Sequence, residues 1–585
     1  MLSISLKRVF WILQNHRLRL FIVLLIIGGI GLWTVQDYGI SWDEAMEIDM
    51  VGWHWNYASR GIPYPVPLIQ YYGIVFNGFC ELLYLIRTHT NTIITSEVQQ
   101  IKSVAWIDKI YFKHLITFLW TFVGYLVTSR IVHVIVAPEE SSGLRSNRNF
   151  RLTGYWITPL ILALFPRFWG HSYFNPKDIP FAVLFTATTL VGSNLISAYL
   201  GNIDNSKTLI RKSFFYGFLV GLLGGVRPIG IVALFFIGAI YIFLIEKKSN
   251  WIRHTLRVFP YYFLSIVTSL STVVILYPSA WSSPLTWLLE AFLALGKYPI
   301  TIIIFFLGNY FSSGSVPWYY IPTWMLITVP EILSMLFLFG IVFSFLKYQT
   351  LSQLQRSTLL LTSLQIAFLP LMAIVNRSPL YDEIRHFIFV IPGIAVFCSI
   401  GIIWLESSHL KKHIKYISLT VILLCMTGVA IDMNRLHPYE YMYFNQLAGG
   451  LSVVQDQYEL DYWGLSLKDS STWLNAQLDS SPQLVLILGP ISSIKPFLKP
   501  NFEVVQANFK NGLVFKPKMT PYHLRAIMNE AIIPPSIEED KNRGFYVVAL
   551  RRMELNNLLP DCPIVHELKH SGVTLNVIRK CPPRS

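Results

Sequence analysis

The stretch FIVLLIIGGIGLWTVQDYGISWDEA, residues 21–45, places a long apolar run directly before two adjacent carboxylates, Asp43 and Glu44. Crossing about 30 Å of hydrocarbon takes about 20 apolar residues as a helix, and fewer where aromatic residues lie at the interface. Basic residues precede the run and no small-residue cleavage site follows it, so it predicts an uncleaved first membrane helix rather than a signal peptide. The acidic pair is then expected where the chain leaves the membrane.

The composition extends this prediction to the whole chain of 585 residues. It is 53% hydrophobic and 14% charged, whereas a soluble domain carries about 25% charged residues. We therefore predict an α-helical polytopic membrane protein. The net charge of +14 does not indicate nucleic acid as a partner, because the Lys and Arg residues fall mostly in short loops between apolar runs, where they set orientation.

About eleven apolar runs are long enough to be membrane helices. A tight outer turn at Gly225–Gly230 is expected to divide the long run 213–245 into two of them. The predicted spans lie near residues 20–36, 112–135, 154–166, 180–199, 213–227, 229–245, 258–277, 321–346, 357–375, 386–405 and 416–432.

The positions of the basic residues predict the orientation of these helices. With a cytoplasmic N-terminus, the inside loops hold most of the basic clusters, as the positive-inside rule requires. These clusters lie near Lys7–Arg19, Arg145–Arg151, Lys207–Lys212, Lys247–Arg257, Lys347–Arg356 and Lys411–Lys415. The interpretation is a multi-pass protein of the plasma (inner) membrane with an extracytoplasmic C-terminus. Segments 66–86 and 285–308 are then juxtamembrane helices on the outer face, with full spans as the alternative.

The chain is predicted to contain a membrane domain, 1–432, and a small extracytoplasmic α/β domain, 433–585. The membrane domain carries outer loops at 37–111 and 278–320. In the second domain, β-type runs at 484–488 and 545–550 accompany helix-like segments at 470–479 and 523–531. An oxidising compartment would permit a disulfide between Cys562 and Cys581, with two free thiols as the alternative.

Charged clusters lie at the predicted outer ends of the helices. They are Asp43-Glu44, Lys177-Asp178, Arg227 and Arg385-His386. Taken singly, each has an ordinary explanation: a helix start, an N-cap, a snorkelling arginine or an interfacial anchor. Charges that border hydrocarbon are costly and usually pair or serve a site, so their joint position on one face predicts a single site.

The residue types in these clusters suit a particular chemistry. A carboxylate can accept the proton of a nucleophilic hydroxyl, and Lys177, Arg227, Arg385 and His386 offer the positive charge and donors that suit a phosphate. The combination is the pattern expected of transfer from a lipid phosphate. No metal is required, although oxygen ligands at Asp43, Glu44 and Asp178 would also accommodate a divalent ion.

Several motifs, in order, resemble bacterial members of the GT-C superfamily, and within it the family 39 type, similar to protein mannosyltransferases and aminoarabinose transferases. The motifs are Trp42-Asp-Glu-Ala45, His171–Asp178, Pro317-Trp-Tyr-Tyr320, Arg385-His386, His437–Asn445 and Gly449-Gly450. The resemblance covers most of the chain from 20 to about 470. The β-trefoil insertion of the eukaryotic protein mannosyltransferases is missing.

The resemblance implies an inverting glycosyltransferase that uses a polyprenyl-phosphate-linked sugar. Asp43 matches the general base, Glu44 its companion and Asp178 the second acidic residue, while Arg227 and Arg385 are candidates for the lipid phosphate. The acceptor would be a lipid, a glycan or a protein, and the sequence names neither it nor the sugar. The alternative function is a transporter or flippase, which should show paired halves and charges near mid-membrane; no halves match in this sequence.

Overall fold

A computed structural model describes most of the chain. The described residues are 16–89, 103–136, 153–201, 203, 205–245, 250–296, 302–408, 410–477, 483–509, 518–519, 531–532 and 544–583. Several basic residues used to predict orientation, among them Lys7, Arg145 and Lys247, lie outside these ranges. The orientation in the membrane therefore stays a prediction.

Helices dominate the described chain. In chain order they are α1 (His16–Thr34), α2 (Glu44–Arg60), α3 (Val75–Thr88), α4 (Val104–Val136), α5 (Thr153–Ala163), α6 (Pro166–Phe174), α7 (Asp178–Leu200), α8 (Ser206–Val226), α9 (Val232–Ile245), α10 (Trp251–Leu276), α11 (Pro284–Gly296), α12 (Tyr320–Thr328), α13 (Glu331–Lys347), α14 (Gln353–Val375), α15 (Ile391–Ser407), α16 (Lys412–Leu436), α17 (Gly450–Val454) and α18 (Leu467–Ala476). Within the described residues, ten helical segments are long and apolar enough to cross a membrane. They contain α1, α4, α7, α8, α9, α10, α13, α14, α15 and α16.

Two predicted spans are divided by proline. The run 154–166 forms α5 and then breaks at Phe165, whose backbone is extended (φ −88°, ψ 101°) before Pro166 begins α6. The run 321–346 breaks in the same way at Val329 (φ −88°, ψ 128°), before Pro330. The residue before a proline is driven out of the helical region by the proline ring, so α5 has only 11 residues.

Although α5 is short, the chain passes back along the bundle between the end of α4 and the start of α7. α4 begins near the first loop and runs for 33 residues, which is about 50 Å at 1.5 Å per residue. α7 begins at Asp178, back at the end of the bundle where Asp43 lies. The buried α5 lies in between, and its Thr158 hydroxyl donates to Ser399 of α15 at 2.9 Å.

The tight turn predicted at Gly225–Gly230 is present. α8 ends at Val226, a 3₁₀ turn covers Pro228–Ile231 and α9 begins at Val232. At Gly230 an added Cβ would approach the backbone of Leu223 at 2.9 Å. Only glycine allows this close contact between the turn and the end of α8.

The two segments predicted to lie on the outer face are too short to span a membrane. Segment 66–86 forms a 3₁₀ turn, Pro67–Tyr71, and the 14-residue α3. Segment 285–308 differs in part from the prediction, because after the 13-residue α11 it forms strand β1 (Ile303–Phe306). α11 exposes Leu285, Leu289, Phe292 and Leu293, and this helical spacing gives an apolar face suited to an interface.

Beyond α16 the chain forms a mixed five-stranded sheet. The described strands are β1, β2 (Asn309–Ser312), β3 (Gln483–Leu488), β4 (Phe502–Gln506), β5 (Asn508–Phe509), β6 (Lys518–Met519), β7 (Ala531–Ile532), β8 (Phe545–Leu550), β9 (Ile564–His570) and β10 (Val573–Cys581). The sheet order is β4-β3-β8-β10-β9, while β1, β2 and β6 form a second sheet and β5 pairs with β7. β3 is parallel to β4 and β8, whereas β10 is antiparallel to β8 and β9.

The predicted strands 484–488 and 545–550 correspond to β3 and β8, and the predicted helix 470–479 corresponds to α18. Both strands are apolar and almost fully buried, as expected for parallel strands covered on two faces. α18 packs Leu467 and Leu474 against one face of the sheet. The predicted helix 523–531 lies outside the described residues, apart from its last one.

Cys562 and Cys581 form a disulfide, 19 residues apart in sequence. Closing a loop of this length is expected to stabilise the domain by about 3 kcal/mol through the entropy of the unfolded chain. We expect the Cys562→Ser, Cys581→Ser double variant to lose about that free energy of unfolding, as measured by urea denaturation in detergent. Cys425→Ser is the control, because Cys425 is free and exposed.

The pairing itself can be tested by alkylation of the denatured protein. The chain has five cysteines, of which Cys80, Cys398 and Cys425 are free. We expect two additional labels after reduction. Labelling of all the cysteines before reduction would contradict the disulfide.

Candidate active site

The charged clusters predicted from the sequence meet at one end of the helix bundle. Arg385 lies at their centre, with its Nη1 3.3 Å from Asp43 Oδ2 and 3.9 Å from Asp178 Oδ2. Arg227, in the turn between α8 and α9, forms an ion pair with the same Asp178. Residues from four distant parts of the chain are therefore brought into one network of charges.

Arg385 is held on several sides. Its Nε is 3.0 Å from Asp382 Oδ2, and its guanidinium lies 4.9 Å from the ring centroids of both Tyr381 and Trp463. Asp382 and Glu383 have left-handed backbones, with φ of 53° and 62°, which are uncommon for residues other than glycine. This turn directs both carboxylates inward, Asp382 to Arg385 and Glu383 to an ion pair with Arg167.

Asp43 is the accessible carboxylate of the network. Its side chain is 26% exposed, against 4% for Asp178. Asp43 stands at the N-cap of α2, but its carboxylate makes no capping hydrogen bond. The side chain is therefore oriented by Arg385 and open to a second molecule.

Glu44 faces away from its neighbour Asp43. Its side chain is fully buried, and Oε1 lies 2.7 Å from His114 Nε2 while Oε2 accepts the Ser41 backbone N–H at 2.7 Å. Adjacent helical side chains diverge by about 100°, which is how two carboxylates in sequence reach different surroundings. Glu44 fixes the entry of α2 against α4.

Asp178 and Lys177 are positioned by the turn before α7. Asn175 Oδ1 accepts the Asp178 backbone N–H at 2.9 Å, and Asn175 Nδ2 donates to Asp178 Oδ2 at 2.9 Å. Lys177 Nζ lies 3.3 Å from Glu47 Oε1 and 4.4 Å from the Tyr72 ring centroid. Burial lowers the pKa of Lys177, and the Glu47 carboxylate opposes that shift.

A cavity of about 160 Å³ opens beside this network. Lys177 and Arg227 give it a cationic wall, to which His386 adds an imidazole, and Tyr71, Tyr72 and Tyr381 add aromatic rings with hydroxyl groups. Leu68, Val226 and Ala294 complete an apolar part. Three of the four residues predicted to bind phosphate thus line one cavity, while Arg385 lies behind it against Asp43.

The three carboxylates that the sequence predicts as possible ligands of a divalent ion do not point to a common position. Asp43 and Asp178 are separated by the Arg385 guanidinium, and Glu44 is directed at His114. In the part of the chain that the structure describes, no group of three or more His, Cys, Asp or Glu side chains could hold a metal ion. These residues do not fit a divalent metal.

Sequence reasoning missed a contribution from the C-terminal domain. Arg552, in a 3₁₀ turn after β8, places Nη2 2.8 Å from Asp382 Oδ1 and Nε 3.1 Å from Glu459 Oε1. Its guanidinium also lies 5.3 Å from the ring centroid of Trp42, the residue before Asp43. Asp382 could have been identified from the sequence, because it lies three residues before the predicted site residue Arg385. Arg552 could not, because no motif or charged cluster of the sequence sets it apart from other arginines.

The result is a buried chain of alternating charges. In order, its members are Arg227, Asp178, Arg385, Asp382, Arg552 and Glu459. Buried charges are tolerated when each has a partner, and here most have two. The position of each guanidinium therefore depends on the carboxylate next to it. Arg552 of the C-terminal domain is in this way coupled to Asp43 through Asp382 and Arg385.

Fold and site together define a polytopic α-helical membrane protein with a charged site at one end of its helices, closed by a small α/β domain. The chain is similar to the solved structure of ArnT from Cupriavidus metallidurans in the apo state, at 11% identity and a TM-score of 0.44. That similarity covers 96% of this chain and 97% of ArnT.

A second similar structure is the Archaeoglobus fulgidus oligosaccharyltransferase, solved with a tethered acceptor peptide. It is 13% identical, with a TM-score of 0.44, over 91% of this chain and 69% of the other. No protein-family model and no curated protein matches the sequence.

Proposed function

We propose that this chain is a membrane glycosyltransferase that moves a sugar from a polyprenyl-phosphate donor to an acceptor hydroxyl on the outer face. The observation that carries the proposal is the cavity with a cationic wall and an apolar part, whose Arg227 is linked through Asp178 and Arg385 to the accessible carboxylate Asp43. A base, a phosphate clamp and an apolar contact for a lipid are the parts that such a transfer needs. The motif resemblance points to the same reaction.

In this mechanism Asp43 accepts the proton of the acceptor hydroxyl as its oxygen attacks the anomeric carbon. The bond from that carbon to the phosphate oxygen breaks, and its electron pair leaves with the polyprenyl phosphate, so the configuration inverts. The transition state has oxocarbenium character. Phosphate is a good leaving group, and no general acid is required.

The cations act on the departing phosphate. Lys177 and Arg227 line the cavity together with His386, where they would stabilise the negative charge that grows on the leaving oxygen. Leu68, Val226 and Ala294 would contact the first part of the lipid chain. Arg385 does not line the cavity; its contact with Asp43 Oδ2 at 3.3 Å makes it the group that orients the base.

Comparison of envelope fractions tests the function as a whole. Mass spectrometry of lipids, polysaccharides and proteins from cells with and without the gene should show one sugar mass that is lost from an acceptor. The gene-deficient cells should also accumulate the donor lipid, because its sugar is no longer transferred. Unchanged acceptors together with an unchanged donor pool would contradict the proposal.

The Arg227→Ala variant tests the phosphate site. Arg227 lines the cavity and pairs with Asp178, so its loss should weaken donor binding. A hydrogen bond to a charged group contributes about 1.5–3 kcal/mol, which corresponds to roughly a tenfold or greater rise in KM for the donor.

The matched control is Arg87→Ala, which removes an exposed arginine whose partner, Asp108, is also exposed. Donor titration of membrane vesicles that contain each variant gives the KM values. An unchanged KM in Arg227→Ala would remove Arg227 from the phosphate site.

A further inference from the structure

A second cavity, of about 430 Å³, lies between the membrane domain and the C-terminal sheet. Its walls come from the β1–β2 hairpin, the segment 455–460, the turn after β8, and strands β9 and β10. Its volume is within the range of about 300–1,000 Å³ typical of small-molecule sites, which often lie where domains meet. The proposed transfer mechanism does not use this cavity.

The lining of this cavity is polar and nearly balanced in charge. It contains three arginines and four carboxylates, and three side-chain amides accompany them. The amides are Gln455, Asn556 and Asn557. The cavity therefore offers both hydrogen-bond donors and acceptors over most of its surface.

One of the lining arginines has unused bonding capacity. Arg579 is 8% exposed, and its two Nη groups donate to the carbonyls of Cys562 at 2.7 Å and Asn556 at 3.0 Å. Among the described residues, neither its buried Nε nor the buried Asn556 Oδ1 has a hydrogen-bond partner. Buried polar groups are normally bonded, so these two lining residues each keep an unmet hydrogen-bonding group, as expected next to a site for a polar ligand.

The residue types that line the cavity limit the chemical class of the ligand. A lipid chain would remove water from the charged and amide groups of this lining and offer them no hydrogen bond in return, which is costly. A phosphate would meet the carboxylates as like charges. Sugar hydroxyls both donate and accept hydrogen bonds, and they match a wall that mixes arginines, carboxylates and amides.

The cavity also borders the candidate active site. Arg552 and Glu459 line it, and the same Arg552 contacts Asp382 and the Trp42 ring on the side of Asp43. We infer that this cavity binds a saccharide unit of the acceptor, so that the acceptor is a glycan or a glycan-bearing lipid. The inference rests on the proposed function, whose acceptor it specifies.

Direct binding tests the cavity without any transfer reaction. Full-length protein in detergent is applied to a microbial glycan array, and bound glycans are then titrated by calorimetry. Asn557→Trp places a large ring at an exposed position of the lining, and Arg579→Lys removes the unpartnered Nε. We expect each variant to weaken glycan binding at least tenfold.

The matched control is Lys580→Met, next to Arg579 on β10 but outside the cavity lining, where its Nζ lies over the Tyr546 ring. It should bind within twofold of the wild type. Absence of glycan binding by the wild type, equal binding by Asn557→Trp, or selection of peptides instead from a parallel peptide array would each overturn the inference.

The Asp43→Asn variant separates this inference from the proposed function. It should retain glycan binding while losing transfer, because Asp43 does not line the cavity. Transfer that depends on Asp43, without glycan binding, would overturn the cavity assignment alone. Glycan binding together with full transfer by Asp43→Asn would overturn the proposed base alone.

Discussion

Asp43→Asn is expected to abolish sugar transfer while the protein still folds and inserts. Asparagine has the size of aspartate but cannot take the proton of the acceptor hydroxyl, and a general base contributes about 10²- to 10⁴-fold. Among the described residues, the Asp43 carboxylate makes one ion pair, at 3.3 Å, and no helix-capping bond. Its loss should therefore cost activity rather than stability.

The measurement is the sugar-modified acceptor in gene-deficient cells that carry each variant, quantified by mass spectrometry against the amount of membrane-inserted protein. Asp108→Asn is the matched control, because Asp108 is an exposed aspartate whose partner is the exposed Arg87. It should restore the wild-type level of product. If Asp43→Asn restored that level as well, Asp43 would not be the base.

The membrane helices were largely predictable from the sequence, because long apolar runs depend on local composition. The same local signals predict the turn at Gly225–Gly230, the strands 484–488 and 545–550, and the short helices within 66–86 and 285–308. The exceptions lie at prolines, where Pro166 and Pro330 end helices that their apolar surroundings would otherwise continue. Hydropathy averaged over a window does not register a break made by one residue.

The candidate site was predictable only as a set of positions. Asp43, Asp178, Arg227 and Arg385 were expected on one face, and the structure brings them into contact. The different orientation of Glu44 depends on His114, seventy residues later, and no local pattern reports such a pairing. The same holds for Arg552, which reaches the site only through the packing of the C-terminal domain.

Arg552→Met is expected to lower transfer by about 100-fold, the order of loss that follows a displacement of about 1 Å in an active site. Asp382 is shared by two arginines, with Arg552 Nη2 at 2.8 Å and Arg385 Nε at 3.0 Å. Without Arg552, the whole charge of Asp382 acts on Arg385 and draws it away from Asp43. Burial already raises the pKa of Glu459 to about 7, against the effect of Arg552, so Glu459 can take up a proton once its partner is lost.

Kinetics and protein level separate this effect from simple misfolding. With saturating acceptor, the turnover in membrane vesicles should fall while KM for the donor changes little, since Arg552 lines the second cavity and not the one beside Lys177 and Arg227. Arg435→Met is the control, because the Arg435 side chain is 73% exposed. A rise in KM without a change in turnover would contradict a role for Arg552 in positioning Arg385.

The decisive comparison adds Asp382→Asn to Arg552→Met. Asparagine removes the excess negative charge that would hold Arg385, and it tolerates the left-handed backbone at this position, where φ is 53°. If Arg552 acts by sharing Asp382 with Arg385, the double variant should be at least several-fold more active than Arg552→Met alone. If Arg552 only fastens the C-terminal domain to the membrane domain, the second substitution removes another contact and the losses should add. Recovery by a second loss of charge is an outcome that only the electrostatic coupling of Arg552 to Asp43 through Asp382 and Arg385 predicts.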